Sequence, residues 1–209
     1  MKLHNTPDYS LYLVSEDAMP AESLLSIVEK SISGGVTVVQ LREKHISGKD
    51  FYNKASQLKK LLDSYKIPLI INDRIDIALA VGAAGVHIGQ DDIPAKAARK
   101  MLPDGMLLGV SVQIPAEAVQ AEADGADYIG AGSVFPTATK NDAKLMEPGA
   151  LNQICEVVKI PVVAIGGINK TNIATISDSG IAGAAVVSAI TQAENPAEAA
   201  SLLKKLLGK

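Results

Sequence analysis

Basic and amide side chains alternate in one short segment, Gln40-Leu41-Arg42-Glu43-Lys44. If this segment ends a β-strand, the two-residue period places Gln40, Arg42 and Lys44 on one side and Leu41 on the other. An arginine fork beside a lysine point charge suits the oxygens of a diphosphate. Charges at a strand end are also common as solvated surface residues. The segment therefore indicates either a diphosphate clamp or an ordinary solvated strand end.

Two aspartates follow the next two apolar runs of the sequence. Asp73 lies in Asn72-Asp73-Arg74, and Asp92 ends His87-Ile88-Gly89-Gln90-Asp91-Asp92. Loops after neighbouring parallel strands meet at one edge of a sheet, so the two carboxylates can converge. Two carboxylates that leave room for water and phosphate oxygens suit Mg²⁺. Either residue alone is also a plausible helix cap, but the pair beside the basic segment predicts a magnesium site.

Hydroxyl groups and small residues follow the fifth and sixth apolar runs. Ser111 ends the fifth run, where it could bind a ligand or simply cap a turn. The segment from Gly130 to Lys140 combines glycines, a proline, Thr137, Thr139 and the lysine. This composition fits a lid whose threonines bind one substrate while Lys140 meets the phosphates of another, or an ordinary surface loop.

A second phosphate-binding region is predicted near the end of the sequence. Ile165-Gly166-Gly167-Ile168 follows the seventh apolar run, and Val187-Ser188 follows the eighth. Backbone N–H groups in these positions of an α/β barrel often bind an anion, and glycine permits close approach. His87, inside an apolar run, is interpreted as a pocket wall rather than a general base.

Eight short apolar runs alternate with segments of helical period, and most lack strict polar alternation, as parallel strands covered by helices do. Eight such units in 209 residues favour a single (β/α)8 TIM barrel over residues 1–209. The absence of G-x-G-x-x-G after the first run argues against a dinucleotide-binding sheet. The predicted strands are Leu11–Val14, Val36–Leu41, Leu69–Ile71, Gly85–Ile88, Leu107–Val110, Tyr128–Gly130, Val162–Ile165 and Ala184–Val187.

The amino-acid composition argues against several classes of protein. A net charge of −3, two Phe and no Trp argue against nucleic-acid binding. The sequence contains no run of eighteen apolar residues, and no apolar run follows its first residues, so we expect no membrane span and no signal peptide. A single cysteine, Cys155, fits a reducing compartment, and we expect a cytoplasmic protein. A homo-oligomer stays open.

No cysteine, serine–histidine pair or Schiff-base lysine stands out as a nucleophile. The residues therefore favour an enzyme that stabilises a departing diphosphate and positions a second small-molecule substrate.

The ordered set of motifs resembles the thiamin phosphate synthase family. The residues that carry the resemblance are the segments 40–44, 72–74, 87–92, 134–140 and 164–168, in family order across essentially the whole chain. The resemblance implies a (β/α)8 barrel and a magnesium-dependent alkyl transfer. Hydroxymethylpyrimidine diphosphate and thiazole phosphate would give thiamin phosphate and pyrophosphate, through a pyrimidine carbocation that the thiazole nitrogen captures.

The same resemblance implies roles for individual residues. Asp73 and Asp92 would hold Mg²⁺, with Arg42, Lys44, Lys140 and Ser111 acting in catalysis. The pyrimidine diphosphate would contact Gln40, Leu41, Arg42, Glu43, Lys44, Asn72, Ser111 and Lys140. The thiazole phosphate would contact Thr137, Ala138, Thr139, Gly167, Val187 and Ser188.

One position departs from the family pattern. Many relatives carry histidine two residues after the strand-five serine, where this sequence has Gln113. Two alternatives are a thiazole tautomerase-like paralogue and a non-catalytic sensor of a phosphate ligand. Neither needs both a diphosphate clamp and metal ligands, so the combined set disfavours them.

Overall fold

The computed structural model describes residues 6–137 and 144–209. Eight parallel strands hydrogen-bond in sequence order, and the eighth pairs with the first to close a barrel. The predicted (β/α)8 class is therefore confirmed. The strands are β1 (Leu11–Val14), β2 (Val38–Leu41), β3 (Leu69–Asn72), β4 (Gly85–Ile88), β5 (Leu107–Val112), β6 (Tyr128–Ala131), β7 (Val162–Ile165) and β8 (Gly183–Val186).

Helices follow the strands and cover the outside of the barrel. A short 3-10 helix, Ile173–Ile176, takes the place of a full α-helix after β7. The α-helices are α1 (Ala21–Ser33), α2 (Gly48–Tyr65), α3 (Ile75–Val81), α4 (Ala95–Met101), α5 (Pro115–Ala123), α6 (Ala150–Val157), α7 (Ser188–Thr191) and α8 (Pro196–Leu207). Within the described ranges, no helix is long and apolar enough to cross a membrane.

Alternate strand residues belong to two separate apolar layers. Leu11, Leu13 and Leu41 join the large cluster between the strands and the helices. Tyr12 and Val14 join a smaller cluster inside the barrel, together with Tyr9, Val38, Ile70, Leu107, Tyr128, Val163 and Ala185. The lumen is therefore a packed core, and ligands can reach the barrel only at its ends.

Several strand boundaries differ from the predicted ones, and the shifts matter at the carboxyl ends. Asn72 is the last residue of β3, and β5 continues through Ser111 to Val112. Strand β8 ends at Val186, because Val187 turns to φ −119° and ψ −93° immediately before α7. Polar residues therefore sit on the last strand positions, where the barrel fixes their directions.

Candidate active site

The end of β2 presents its residues to different surroundings. Gln40 is buried in the lumen, where its Nε2 donates to the Tyr12 hydroxyl at 2.8 Å. Leu41 points the other way, into the outer core. The half-buried Arg42 side chain has no hydrogen-bond or ion-pair partner among residues 6–137 and 144–209. Its guanidinium is therefore available to a ligand.

Glu43 does not lie with Lys44 at the mouth of the barrel. Its Oε2 accepts the backbone N–H of Ala18 at 3.0 Å, and its Oε1 pairs with Lys54 of α2. The carboxylate is completely buried. The structure thus gives Glu43 a structural role in holding the β1–α1 loop against α2, and its predicted contact with substrate stays a prediction.

Lys44 and Asp73 form a direct ion pair between the β2 and β3 loops. Asp73 has a left-handed backbone with φ +59°, a conformation that aspartate tolerates better than most residues. Its N–H donates to the His87 carbonyl at 2.8 Å, and its own carbonyl accepts the Ile75 N–H at 3.1 Å. This backbone conformation directs the carboxylate to the mouth rather than onto α3, which has no side-chain cap.

Asp92 lies close enough to Asp73 for the two carboxylates to interact. Its Oδ2 accepts the Gly89 N–H at 2.7 Å and so closes the turn after β4. Burial raises the pKa of Asp92, and the neighbouring Asp73 raises it further. Helix α4, which follows, has no side-chain cap. Neither aspartate caps a helix, and the structure brings the predicted pair together.

This arrangement fits Mg²⁺ better than a metal with an all-protein ligand set. Across the described part of the chain, no group of three or more His, Cys, Asp or Glu side chains could hold a metal ion. Mg²⁺ is commonly bound by one or two carboxylates, with water and substrate oxygens completing the shell. Burial and then the neighbouring Asp73 raise the pKa of Asp92, and a cation bound between the two carboxylates would favour their charged forms.

Polar side chains continue from this mouth down into the lumen. Asn72 is buried and pairs in register with His87 on β4. His87 contacts two hydroxyls, Tyr128 through Nδ1 at 3.0 Å and Ser111 through Nε2 at 2.9 Å. His87 is therefore part of a hydrogen-bonded network, and the interpretation as a pocket wall understated it. Ser111 ends this network and does not cap a turn.

The predicted backbone site after β7 is built on two glycines with positive φ. Gly166 and Gly167 have φ +103° and +64°. The side-chain amides of Asn169 and Asn172 donate to the Gly167 carbonyl at 3.1 and 2.9 Å. These asparagines, which the sequence analysis did not single out, fix the orientation of the turn. Asn-x-x-Asn, one residue after a glycine pair, was the signal that could have revealed them.

Several backbone donors near this turn have no acceptor in the described parts of the protein. They include the N–H groups of Gly167 and Ile168 after β7, and of Ser188 and Ala189 after β8. Val187 immediately precedes the second pair. The predicted phosphate region thus contains free N–H groups from two adjacent strand ends.

The loop after β6 packs on the glycine turn. Val134 and Phe135 donate their N–H groups to the carbonyls of Ile165 and Gly166 at 2.9 and 3.0 Å. Thr137 is the last residue described before the gap, and Ala138, Thr139 and Lys140 lie outside the described residues. On the other side of the gap, the Lys144 carbonyl accepts from Gln113 Nε2 at 3.3 Å. Gln113 therefore contacts the base of this loop.

An acidic pair in the β1–α1 loop links the two halves of the mouth. Glu16 accepts the Thr191 hydroxyl and Gln192 Nε2, both at the end of α7. Asp17 accepts the Lys44 N–H at 2.8 Å. Sequence analysis missed both residues. Their signal was two adjacent acidic side chains one residue after the first strand.

Comparison with known proteins identifies the family. The sequence profile of a family described as thiamine monophosphate synthase matches residues 11–190. The chain belongs to this family. It is an enzyme of the transferase class.

Individual relatives resemble the chain over almost its full length. The thiamine-phosphate synthase of Methanobrevibacter smithii is 51% identical over 206 residues, covering 98% of this chain and 99% of that one. The thiamine-phosphate synthase of Clostridium beijerinckii is 52% identical over 198 residues, covering 94% and 95%. The solved thiamine phosphate pyrophosphorylase of Pyrococcus furiosus superposes with a TM-score of 0.87 at 38% identity, covering 99% and 98%. The similarity to these thiamine-phosphate synthases thus extends over the whole barrel.

Proposed function

We propose that this enzyme joins 4-amino-5-hydroxymethyl-2-methylpyrimidine diphosphate to 4-methyl-5-(2-phosphoethyl)thiazole in the presence of Mg²⁺, giving thiamin phosphate and pyrophosphate. The observation that carries the proposal is the convergence of Lys44, Asp73 and Asp92 at one side of the mouth. A barrel that bound only one phosphate ester would need no such cluster in addition to the glycine turn.

The diphosphate half of the site uses side-chain charge. Asp73 and Asp92 would hold Mg²⁺, which would neutralise charge on the diphosphate oxygens. Arg42 offers a planar fork that has no partner within residues 6–137 and 144–209. Lys44 would shift from Asp73 toward the leaving pyrophosphate once the metal compensates that carboxylate. Lys140 stays predicted as a further cation for the same group.

The second half of the site uses the backbone. The free N–H groups of Gly167, Ile168, Ser188 and Ala189 suit the oxygens of a phosphate monoester. The glycine turn leaves no Cβ in the way at two successive positions. The predicted contacts of the thiazole phosphate stay Thr137, Ala138, Thr139, Gly167, Val187 and Ser188.

The proposed reaction requires charge stabilisation rather than a protein nucleophile. The bond between the pyrimidine methylene carbon and the diphosphate oxygen breaks, and its electron pair leaves with pyrophosphate. The thiazole nitrogen then donates its lone pair to the methylene carbon, so the positive charge ends on the thiazolium ring. The chain's residues bind the leaving group, hold the nitrogen in line and exclude water from the cation.

The test is pyrophosphate release by purified protein with both substrates, with Mg²⁺ and with excess EDTA. Release that needs both substrates and the metal would support the proposal. Release without metal would refute the role of the aspartates, and no release at all would refute the synthase reaction. Asp92→Asn should lose at least about a hundredfold in turnover, as removal of a main charge-stabilising group does.

Asp91→Asn supplies the matched control. Asp91 is adjacent, exposed and without a described hydrogen bond, so its substitution makes the same charge change outside the pair. Equal losses in the two variants would show that general charge, and not the Asp73–Asp92 pair, matters.

A further inference from the structure

An unbroken line of polar side chains crosses the lumen from β2 to β5. Gln40 Nε2 contacts the Tyr12 hydroxyl at 2.8 Å, and the Tyr12 hydroxyl contacts that of Tyr128 at 2.9 Å. The Tyr128 hydroxyl contacts His87 Nδ1 at 3.0 Å, and His87 Nε2 contacts the Ser111 hydroxyl at 2.9 Å. Both tyrosines are 1% exposed, so neither hydroxyl can turn to bulk water.

The hydrogens in this line can be counted. Burial raises the pKa of Tyr12 and of Tyr128, so each phenol keeps its one hydrogen at neutral pH. An amide nitrogen can only donate, so Gln40 donates to the Tyr12 hydroxyl, and the Tyr12 hydroxyl must donate its own hydrogen to the Tyr128 hydroxyl. The Tyr128 hydroxyl then donates its hydrogen to His87 Nδ1. A His87 ring with one hydrogen then accepts at Nδ1 and donates from Nε2 to Ser111.

We propose that this line is proton-ordered from Gln40 to Ser111, which leaves the Ser111 hydroxyl hydrogen free for an acceptor atom of the bound substrate. Ser111 is then a donor at the mouth, and Tyr12, Tyr128 and His87 are positioning residues that act through it. The partner chemistry is an acceptor, either a ring nitrogen or an anionic oxygen, because the Ser111 hydroxyl then has its hydrogen left to donate.

Two glycines make room for this line. A Cβ on Gly109 of β5 would lie 2.2 Å from Tyr128 Cζ and 2.4 Å from His87 Nδ1. A Cβ on Gly130 of β6 would lie 2.9 Å from His87 Cε1. Barrel lumens are usually filled by bulky branched side chains. Here two neighbouring strands have no side chain where the rings of Tyr128 and His87 meet.

The opposite order makes a different, measurable prediction. If Gln40 accepted from Tyr12 through its carbonyl oxygen, every hydrogen would reverse. His87 would carry its hydrogen on Nδ1, Ser111 would donate to Nε2, and only lone pairs of Ser111 would face the mouth. The tautomer of His87 therefore reports the direction of the whole line.

The first experiment measures that tautomer by ¹⁵N NMR at neutral pH. The chain has three histidines, so the His4→Gln/His45→Gln variant leaves His87 as the single imidazole signal. We expect the Nε2–H tautomer. Gln40→Glu, a nearly isosteric change from donor to acceptor, should reverse the order and give Nδ1–H. An Nδ1–H ring or an averaged mixture in the parent, or no change in Gln40→Glu, would overturn the proposal.

The second experiment is a double-mutant cycle on kcat/KM, and it rests on the proposed function. Ser111→Ala and Tyr128→Phe should each lower kcat/KM about tenfold, as loss of one buried hydrogen bond does. The double variant should lose little more than Ser111→Ala, because Tyr128 acts through Ser111. Losses that multiply would show that Tyr128 acts independently, and would overturn the positioning role.

Two outcomes separate this proposal from the proposed reaction. If the parent releases no pyrophosphate, the synthase proposal fails while the tautomer measurement still decides the proton order. If Tyr128→Phe does not fold, Tyr12→Phe takes its place in the cycle, because it breaks the same line one contact earlier.

Discussion

Glu43 and Lys54 form an ion pair inside the protein, in which the glutamate side chain is fully buried and the lysine is 12% exposed. The same carboxylate accepts the Ala18 N–H, and the same ammonium donates to the Met19 carbonyl at 2.6 Å. Each charge is thus paired and hydrogen-bonded, which a buried charge requires.

Glu43→Ala should lower the free energy of unfolding by about 3 kcal/mol, because it leaves the Lys54 charge buried without its partner. For a chain of this size the melting temperature should fall by roughly 6–12 °C. Thermal denaturation followed by circular dichroism measures the change.

The double variant Glu43→Leu/Lys54→Met should recover most of the lost stability, since it removes both charges. Lys60→Met, on an exposed position of the same helix, is the control and should change little. A loss below about 1 kcal/mol in Glu43→Ala would contradict the buried-pair argument.

Asp92→Asn should stabilise the metal-free protein, and increasingly so as the pH rises. Burial and Asp73 raise the pKa of Asp92 in the folded state, so the folded protein holds this proton to higher pH than the unfolded chain. Stability of the parent relative to the variant therefore falls as the pH rises through that raised pKa. At lower pH, where Asp92 is protonated in both states, the two proteins should converge.

The measurement is chemical denaturation in EDTA from about pH 3.5 to pH 7, with Asp91→Asn as control. Excess Mg²⁺ should reduce or reverse the difference at neutral pH, because a bound cation favours the charged carboxylate. A difference that does not vary with pH would argue against the carboxylate pair.

Adjacent substitutions in the β1–α1 loop should affect different substrates. Glu16→Ala removes the acceptor for Thr191 and Gln192, so the KM for the proposed thiazole phosphate substrate should rise about five- to tenfold. Asp17→Ala removes the acceptor for the Lys44 N–H, so the KM for the proposed pyrimidine diphosphate substrate should rise by a similar factor. Steady-state kinetics with each substrate varied in turn would show the separation. Glu22→Ala, an exposed change in the first turn of α1, is the control. The prediction fails if both variants raise the same KM.

Gly167→Ala should weaken phosphate binding far more than the strain of a left-handed backbone at this position would do alone. Gly167 and Gly82 share φ +64°, but a Cβ on Gly167 would lie 2.4 Å from the Pro136 carbonyl oxygen, whereas one on Gly82 meets nothing within 4 Å. Gly82→Ala should therefore cost only the left-handed penalty of about 1 kcal/mol. Gly167→Ala should add a displacement of the turn and raise the Kd for thiazole phosphate more than about tenfold. Isothermal calorimetry and melting curves of both variants provide the comparison, and equal effects would refute the steric argument.

The parts of the site that follow from sequence are those that depend on strand order. Each strand of β-branched and apolar residues was located, and order alone placed Asp73 and Asp92 at neighbouring strand ends. Alternation along β2 correctly separated Gln40 from Leu41.

The contacts of the site that could not be predicted from the sequence depend on the stagger between strands. Tyr12, Tyr128 and His87 come from β1, β6 and β4, and their contact across the lumen is set by how far the strands are shifted. Alternation within one strand carries no such information. The ion pair of Glu43 could not be predicted from its own segment either, because its partner, Lys54, lies on the next helix of the chain.

Closure of the sheet also constrains the order in which the protein can be completed during synthesis. Strand β1 pairs with β2 on one side and with β8 on the other, with Leu11 opposite Ala184. A ribosome delivers β1 first and β8 last, so the free edge of β1 stays unpaired while all the intervening units are made. That edge is the kind of exposed strand on which nascent chains associate. Folding of this barrel should therefore be slow relative to its local helices and sensitive to chaperones that shield its first strand.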